Sequence, residues 1–285
     1  MAPFKLKLLH SLLKSLGRLP LPVVHALGLM LGWLVYLLSS KHARLTRENL
    51  RLSGTCADEP AFRRTLRRNI GESGKALLET FAIWFRSDKQ QMLLVQGCQG
   101  WEHIVTALQR GKGIIFLTPH LGCFEITSLF YAALHPITVL YRPPRQDWML
   151  PMIEAGRARG KVKLAPANAK GVRDLLQALR QGEAIGVLPD QVPAQGEGEW
   201  AAYFGRPAYT MTLVSRLAQK TGATVLIAFG ERLPWGQGYI VHVDKVADGA
   251  IDTAAGLNAA IEKQVRTCPE QYLWSYPRHK ARRGA

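Results

Sequence analysis

Acidic side chains are scarce in this chain of 285 residues: 21 Asp and Glu stand against 37 Lys and Arg, a net charge of +16. That imbalance points to acidic partners: nucleic acid, anionic lipid or an acidic protein. Cysteine is scarcer still. The four present (Cys56, Cys98, Cys123 and Cys268) form no CxxC pair and stand at no metal-ligand spacing. This argues against a disulfide framework or a zinc site and suits a reducing compartment. No HExxH, glycine-rich P-loop or GxSxG occurs, so those three classes of catalytic motif are missing. Neither zinc-finger spacing nor an RNP-type aromatic motif is there to support nucleic-acid binding, although the charge permits it. Apolar residues are plentiful, at 47%, enough for a sizeable core.

Charge is absent altogether from residues 19–38, LPLPVVHALGLMLGWLVYLL. Such a run is long enough to cross a bilayer core of ~30 Å. Pro20 and Pro22 stand at its start, where a helix tolerates proline. Lys5, Lys7, Lys14 and Arg18 precede it, and Lys41, Arg44 and Arg47 follow. Basic residues on both sides set no orientation, and they suit a helix lying in or dipping into an anionic leaflet as well as a span. A signal peptide would need a small-x-small cleavage site, which is not found. A buried core helix is the remaining reading. The expected organisation is a membrane-associating segment, 1–40, followed by a second unit, 41–285.

Residues 41–52 and 60–86 carry apolar side chains at helical spacing, the second with four arginines in its first half. Those arginines form either a solvated face or a basic strip toward lipid head groups. From residue 100 the rhythm changes. WEHIVTALQRG reads as an amphipathic helix stopped by glycine, and GIIFLT as a buried strand. ITVLYR (137–142), KVKLA (161–165), AIGVLPD (184–190), ATVLIAFG (223–230) and GYIVHVDKV (238–246) are further strands, with VRDLLQALRQG a helix between. Strands alternating with helices predict an α/β fold with a mainly parallel central sheet flanked by helices. Sites in such sheets lie beyond the carboxyl ends of strands. TPH and LPD both stand there.

The stretch TPHLGCFEI (118–126) puts a histidine and a glutamate around that strand end. On one ideal helix His120 and Glu125 would point about 140° apart. They meet only if His120 lies in the loop and Glu125 in the first helical turn; Pro119 and Gly122 supply loop chemistry. A carboxylate-held histidine is a general base, and free N–H groups at the helix start could stabilise an oxyanion. This suits acyl transfer to a hydroxyl. Other readings stay open here: His120 as a helix cap beside an ordinary first-turn acid, Cys123 as a nucleophile, or metal binding, for which further ligands are lacking.

The H-x4-E stretch, followed in order by LYRPPR (140–145), LPDQVP (188–193), YFGRPAYT (203–210) and PEQYLWSYPRHK (269–280), resembles the bacterial late acyltransferases of lipid A biosynthesis (lauroyl and myristoyl transferases). These form part of the glycerolipid acyltransferase superfamily. The resemblance runs from about residue 5 to 282. It implies a glycerolipid-acyltransferase-like fold whose 41–285 unit is the catalytic domain. It also implies attachment to the cytoplasmic side of the bacterial inner membrane and no metal or organic cofactor. The implied donor is acyl carrier protein and the implied acceptor a hydroxyl of a lipid A precursor. By the same resemblance His120 is the catalytic base and Glu125 its partner. Arg142 holds phosphate or orients substrate, and Asp190 and Gln191 lie near the site. Structural alternatives are an ion pair for Arg142 and a turn cap for Asp190. The chain departs from the family at its end, where WSYPRHK keeps Trp274, Arg278 and Lys280 of a W-x-H-R-R-F-K pattern. That leaves another glycolipid or a lysophospholipid as an alternative acceptor. An apolar groove near His120 is expected, with Trp84, Phe85 and Phe124 either lining it or belonging to the core.

Overall fold

A computed structural model describes residues 11–144 and 146–280. Lys5, Lys7 and Arg145 lie outside the described residues.

The apolar run forms α1 (Leu21–Leu38), followed by α2 (Ser40–Leu52) and the long α3 (Glu59–Trp84). Asp58 caps α3 by accepting the Ala61 N–H at 2.7 Å, and Pro60 occupies its first turn, as start signals of this type require. A short α4 (Asp88–Met92) leads into β1 (Val95–Gln99), α5 (Trp101–Arg110), β2 (Ile114–Leu117) and α6 (Phe124–Ala132). Then come β3 (Ile137–Tyr141), α7 (Leu150–Arg157), β4 (Val162–Pro166), α8 (Ala169–Arg180) and β5 (Ala184–Val187). The hairpin β6 (Gly198–Tyr203) and β7 (Arg206–Met211), α9 (Leu213–Thr221), β8 (Thr224–Arg232), β9 (Tyr239–Lys245) and α10 (Ala254–Thr267) complete the chain.

Seven strands form one sheet in the order β1-β9-β8-β2-β5-β3-β4. All neighbours are parallel except β8 and β9. The expected mainly parallel α/β sheet is therefore present. Its central strands read as unbroken apolar runs because both faces are covered. Ile115 and Leu117 point into one core cluster, and Ile114 and Phe116 into the other, as the two-residue strand period dictates. β1 and the β6–β7 hairpin were not foreseen. VQGCQ is a polar, half-exposed edge strand. The hairpin turns through Phe204 and Gly205, at φ 47° and 71°, within a stretch with no apolar alternation.

Helix α1 does not stand apart from the rest. A Cβ on Gly32 would meet the Ile70 carbonyl oxygen at 2.1 Å, and one on Gly74 the Gly28 oxygen at 2.0 Å. Only glycine permits these backbones so close. Buried His25 on α1 lies 3.1 Å from Glu79 of α3. Glu79 also binds Arg232 of β8 and accepts the Tyr239 hydroxyl at 2.9 Å. The opposite face of α1, including Val23, Leu27, Met30, Leu34, Leu37 and Leu38, is exposed.

Candidate functional site

Leu117 and Val187 face each other in parallel register, and the Thr118 N–H continues the ladder to the Val187 carbonyl at 2.9 Å. The chain therefore leaves β2 and β5 at the same sheet edge, and TPH comes to lie beside LPD. The His120 ring Nδ1 is 2.8 Å from Asp190 Oδ1, and the His120 backbone N–H donates to Asp190 Oδ2 at 2.9 Å. Asp190 is 2% exposed. Burial alone would raise its carboxyl pKa, but His120, by its charge when protonated and by its ring and backbone N–H groups, outweighs that and holds it below the usual value. The Gln191 amide nitrogen is 3.1 Å from His120 Nε2. The ionised Asp190 carboxylate only accepts, so Nδ1 carries the proton toward it and Nε2 of the neutral ring is left to accept from Gln191. Nε2 is thus the basic atom.

Glu125 was expected on the His120 ring; it is elsewhere. Its buried carboxylate takes a bidentate bond from Arg157 of α7, with the arginine Nε 3.0 Å from both oxygens and a further short contact from Nη2. The physical reason is the partner that each group finds. Glu125 does lie in the first turn of α6 and His120 in the loop before it, but the Glu125 carboxylate is held by Arg157 and the His120 ring by Asp190. The expected free N–H groups are also partly used. Gly122 donates to the Gln271 carbonyl at 3.1 Å and Cys123 to the Gly230 carbonyl at 2.7 Å. Cys123 gives α6 no side-chain cap. Its thiol is pushed well up by burial, the opposite of what a nucleophile needs.

His120 opens onto a cleft of about 620 Å³ lined also by Tyr141, Arg142, Arg157, Gln191 and Arg216. Behind it runs a narrow apolar slot between α6 and the sheet, lined by Phe116, Phe124, Tyr131 and Val139. Arg157 and Leu188 line both spaces. Of the aromatics considered for a groove, Phe124 borders the slot, its ring 4.9 Å from that of His120. Trp84 is buried, and Arg157 stacks over it at 5.4 Å.

The chain matches the bacterial lipid A biosynthesis acyltransferases over residues 6–281. It belongs to that family. Among similar proteins is the lipid A biosynthesis lauroyltransferase of Escherichia coli, 28% identical over 93% of this chain and 88% of that one. The palmitoleoyltransferase of the same organism is 26% identical over 93% and 87%. A lipid A biosynthesis acyltransferase of Haemophilus influenzae is 27% identical over 94% and 88%. The protein is an acyltransferase.

The carboxyl-terminal motif of this acyltransferase proves to be a strap across both site loops. Leu273 N–H donates to the His120 carbonyl at 3.1 Å, and the Gln271 carbonyl receives Gly122. The Tyr276 hydroxyl accepts the Val192 N–H at 3.0 Å, fixing the loop that follows Asp190. Arg278, kept from the family pattern, is 3% exposed and bonds Tyr209, Thr210 and Asn258. Its work is to fasten the β6–β7 hairpin to α10. Arg142 follows β3 and is exposed at the cleft, and among the described residues it makes no ion pair of the kind considered for it. Sequence reasoning missed Arg157 and Arg216. Neither falls in a recognisable motif, and only the fold brings them to the cleft.

Proposed function

We propose that this acyltransferase moves a fatty acyl chain from acyl carrier protein to a hydroxyl of a lipid A precursor. The observation that carries the mechanism is the Asp190–His120 pair, with Nε2 turned to the cleft. His120 takes the acceptor hydroxyl proton on Nε2, and the oxygen attacks the thioester carbonyl. Asp190 holds the tautomer and stabilises the imidazolium. The tetrahedral intermediate collapses by expelling the thiolate, which recovers the proton from Nε2. Gln191, now on Nε2, yields its place to the acceptor hydroxyl. Glu125 acts at one remove by holding Arg157 at the border between cleft and slot, where the acyl chain approaches.

In this reading the enzyme works on the cytoplasmic leaflet of the inner membrane, with residues 1–40 as its membrane-associating part and 41–285 as the catalytic unit. The relatives' names support the acceptor. Excess positive charge favours an acidic carrier protein and anionic lipid alike. Helix α1 is long and apolar enough to cross a membrane, but 28% of it is buried against the protein. Its glycine face is occupied by α3, and Gly32 meets Ile70 one turn from exposed Arg67. A helix so tied cannot be sheathed in lipid all round, which supports an in-plane position with the outer face in the bilayer.

The test is acyl transfer in vitro, read by mass spectrometry, from acyl carrier protein thioesters to lipid A precursor. Wild type adds one acyl mass. His120→Ala retains the circular dichroism of the fold and loses nearly all turnover. Near-normal turnover by His120→Ala overturns the base assignment, and acylation of a different glycolipid alone overturns the acceptor.

A further inference from the structure

Three arginines line the His120 cleft: Arg142 after β3, Arg157 of α7 and Arg216 near the start of α9. Arg157 is neutralised by Glu125. Arg142 and Arg216 are exposed and, among the described residues, engage in no ion pair or side-chain hydrogen bond. Among the described residues the one carboxylate lining the same cleft is Glu197, and it accepts the Ala194 N–H at 3.3 Å. The cleft thus holds two unneutralised guanidinium groups against one carboxylate. A concave site with low-dielectric walls concentrates such a field. Each guanidinium presents a planar fork of donors that matches a phosphate in a way a lysine does not.

We propose that Arg216, together with Arg142, forms a phosphate-binding subsite of the His120 cleft and so positions a phosphorylated substrate for acyl transfer. The inference rests on the acyl-transfer reading above and extends it to a residue from a separate element. The same chemistry has two possible sources. One is a phosphate on the acceptor sugar; the other is the phosphodiester of the carrier protein's pantetheine arm.

The experiment compares wild type, Arg216→Gln and Arg142→Gln in steady state, with Arg216→Lys as the conservative variant. Acceptor is supplied with its phosphates or after their removal. Donor is supplied on acyl carrier protein or as acyl-pantetheine, which lacks the phosphodiester. Arg216 is exposed and Gln is a good helix former, so folding is kept. With intact substrates Arg216→Gln raises KM about 10- to 100-fold, the range for losing charge-assisted hydrogen bonds, while kcat changes less, and Arg216→Lys falls between. If the gap between wild type and Arg216→Gln closes on the phosphate-free acceptor, the acceptor supplies the phosphate. If it closes only with acyl-pantetheine, the donor does. A gap that persists on both phosphate-free substrates overturns the proposal. Should wild type turn over no lipid acceptor, the acyl-transfer reading fails separately, and calorimetric titration with inorganic pyrophosphate decides the subsite. Saturable binding lost in both glutamine variants upholds it, and no binding by wild type overturns it.

Discussion

Asp190 takes the ring Nδ1 of His120, while Glu125 takes Arg157. These two carboxylates therefore fail in different ways when neutralised. Asp190→Asn keeps the size of the side chain but lets its amide donate to Nδ1, which favours the unproductive tautomer. The rate should fall about 10²- to 10⁴-fold, with little change in KM for either substrate; a drop of less than tenfold would remove Asp190 from the mechanism. Glu125→Gln leaves the Arg157 guanidinium, 21% exposed, without its counter-charge. Breaking such a pair costs about 3 kcal/mol. The loss should be partly recovered in Glu125→Gln/Arg157→Gln, since both partners are then neutral. Denaturant unfolding of the single and double variants checks this. An equal deficit in both would mean that Glu125 acts on something other than Arg157. The histidine was legible because it stands at a strand end. Asp190 was placed near the site, but its pairing with the ring was not foreseen, because the two residues are 70 positions apart and meet only through the pairing of β2 with β5. The nearby Glu125 offered a local partner, but Arg157, which only the fold brings to it, takes its carboxylate.

Among elements, the attachment of α1 matters most. Glycine lets α1 and α3 approach, and the His25–Glu79–Arg232 cluster ties them to β8. Burial of Glu79 alone would raise its pKa, yet Arg232, then His25, outweigh burial and bring it to about 2 from an ordinary 4.5. A carboxyl depressed in the folded state stabilises the fold above its unfolded pKa. That contribution disappears as pH falls through the folded pKa. Here the window runs from about pH 4.5 down to about pH 2, and the shift corresponds to about 3 kcal/mol. Glu79→Gln should therefore lower the unfolding free energy at pH 7 much more than at pH 2.5. A deficit that does not vary with pH would mean the carboxylate's charge is not what holds the cluster. The helices and strands with a clear apolar period were legible, as were their glycine stops. For α1 the sequence left a span, an in-plane helix and a buried core helix all open. Its uniformly apolar sequence suits lipid on every side, and only the spacing of Gly28 and Gly32 against Gly74 reveals a protein-facing stripe.

At the scale of the whole molecule, apolar surface and positive charge lie on neighbouring elements. Met30 is 65% and Leu38 78% exposed on the outer face of α1, and Lys41, Arg44 and Arg47 follow on exposed positions of α2. Exposed apolar side chains in such a row mark an interaction surface rather than chance. The flanking cations select an anionic one, each contributing about 1 kcal/mol near a charged leaflet. Binding should then have two separable components. Flotation with vesicles containing anionic lipid should recover most of the protein at low salt. Neutral vesicles should recover less, and raising the salt should narrow the difference, because screening acts on the charges and not on the buried apolar face. Leu27→Gln/Met30→Gln/Leu34→Gln should reduce binding to both kinds of vesicle while leaving the α3-facing glycines and the His120 cleft intact. Turnover of a detergent-dispersed acceptor would be kept, and turnover of the same acceptor in vesicles would fall. If both activities fell together, the outer face of α1 would be serving the fold rather than the membrane. If neither fell, another surface would have to carry the enzyme to its lipid.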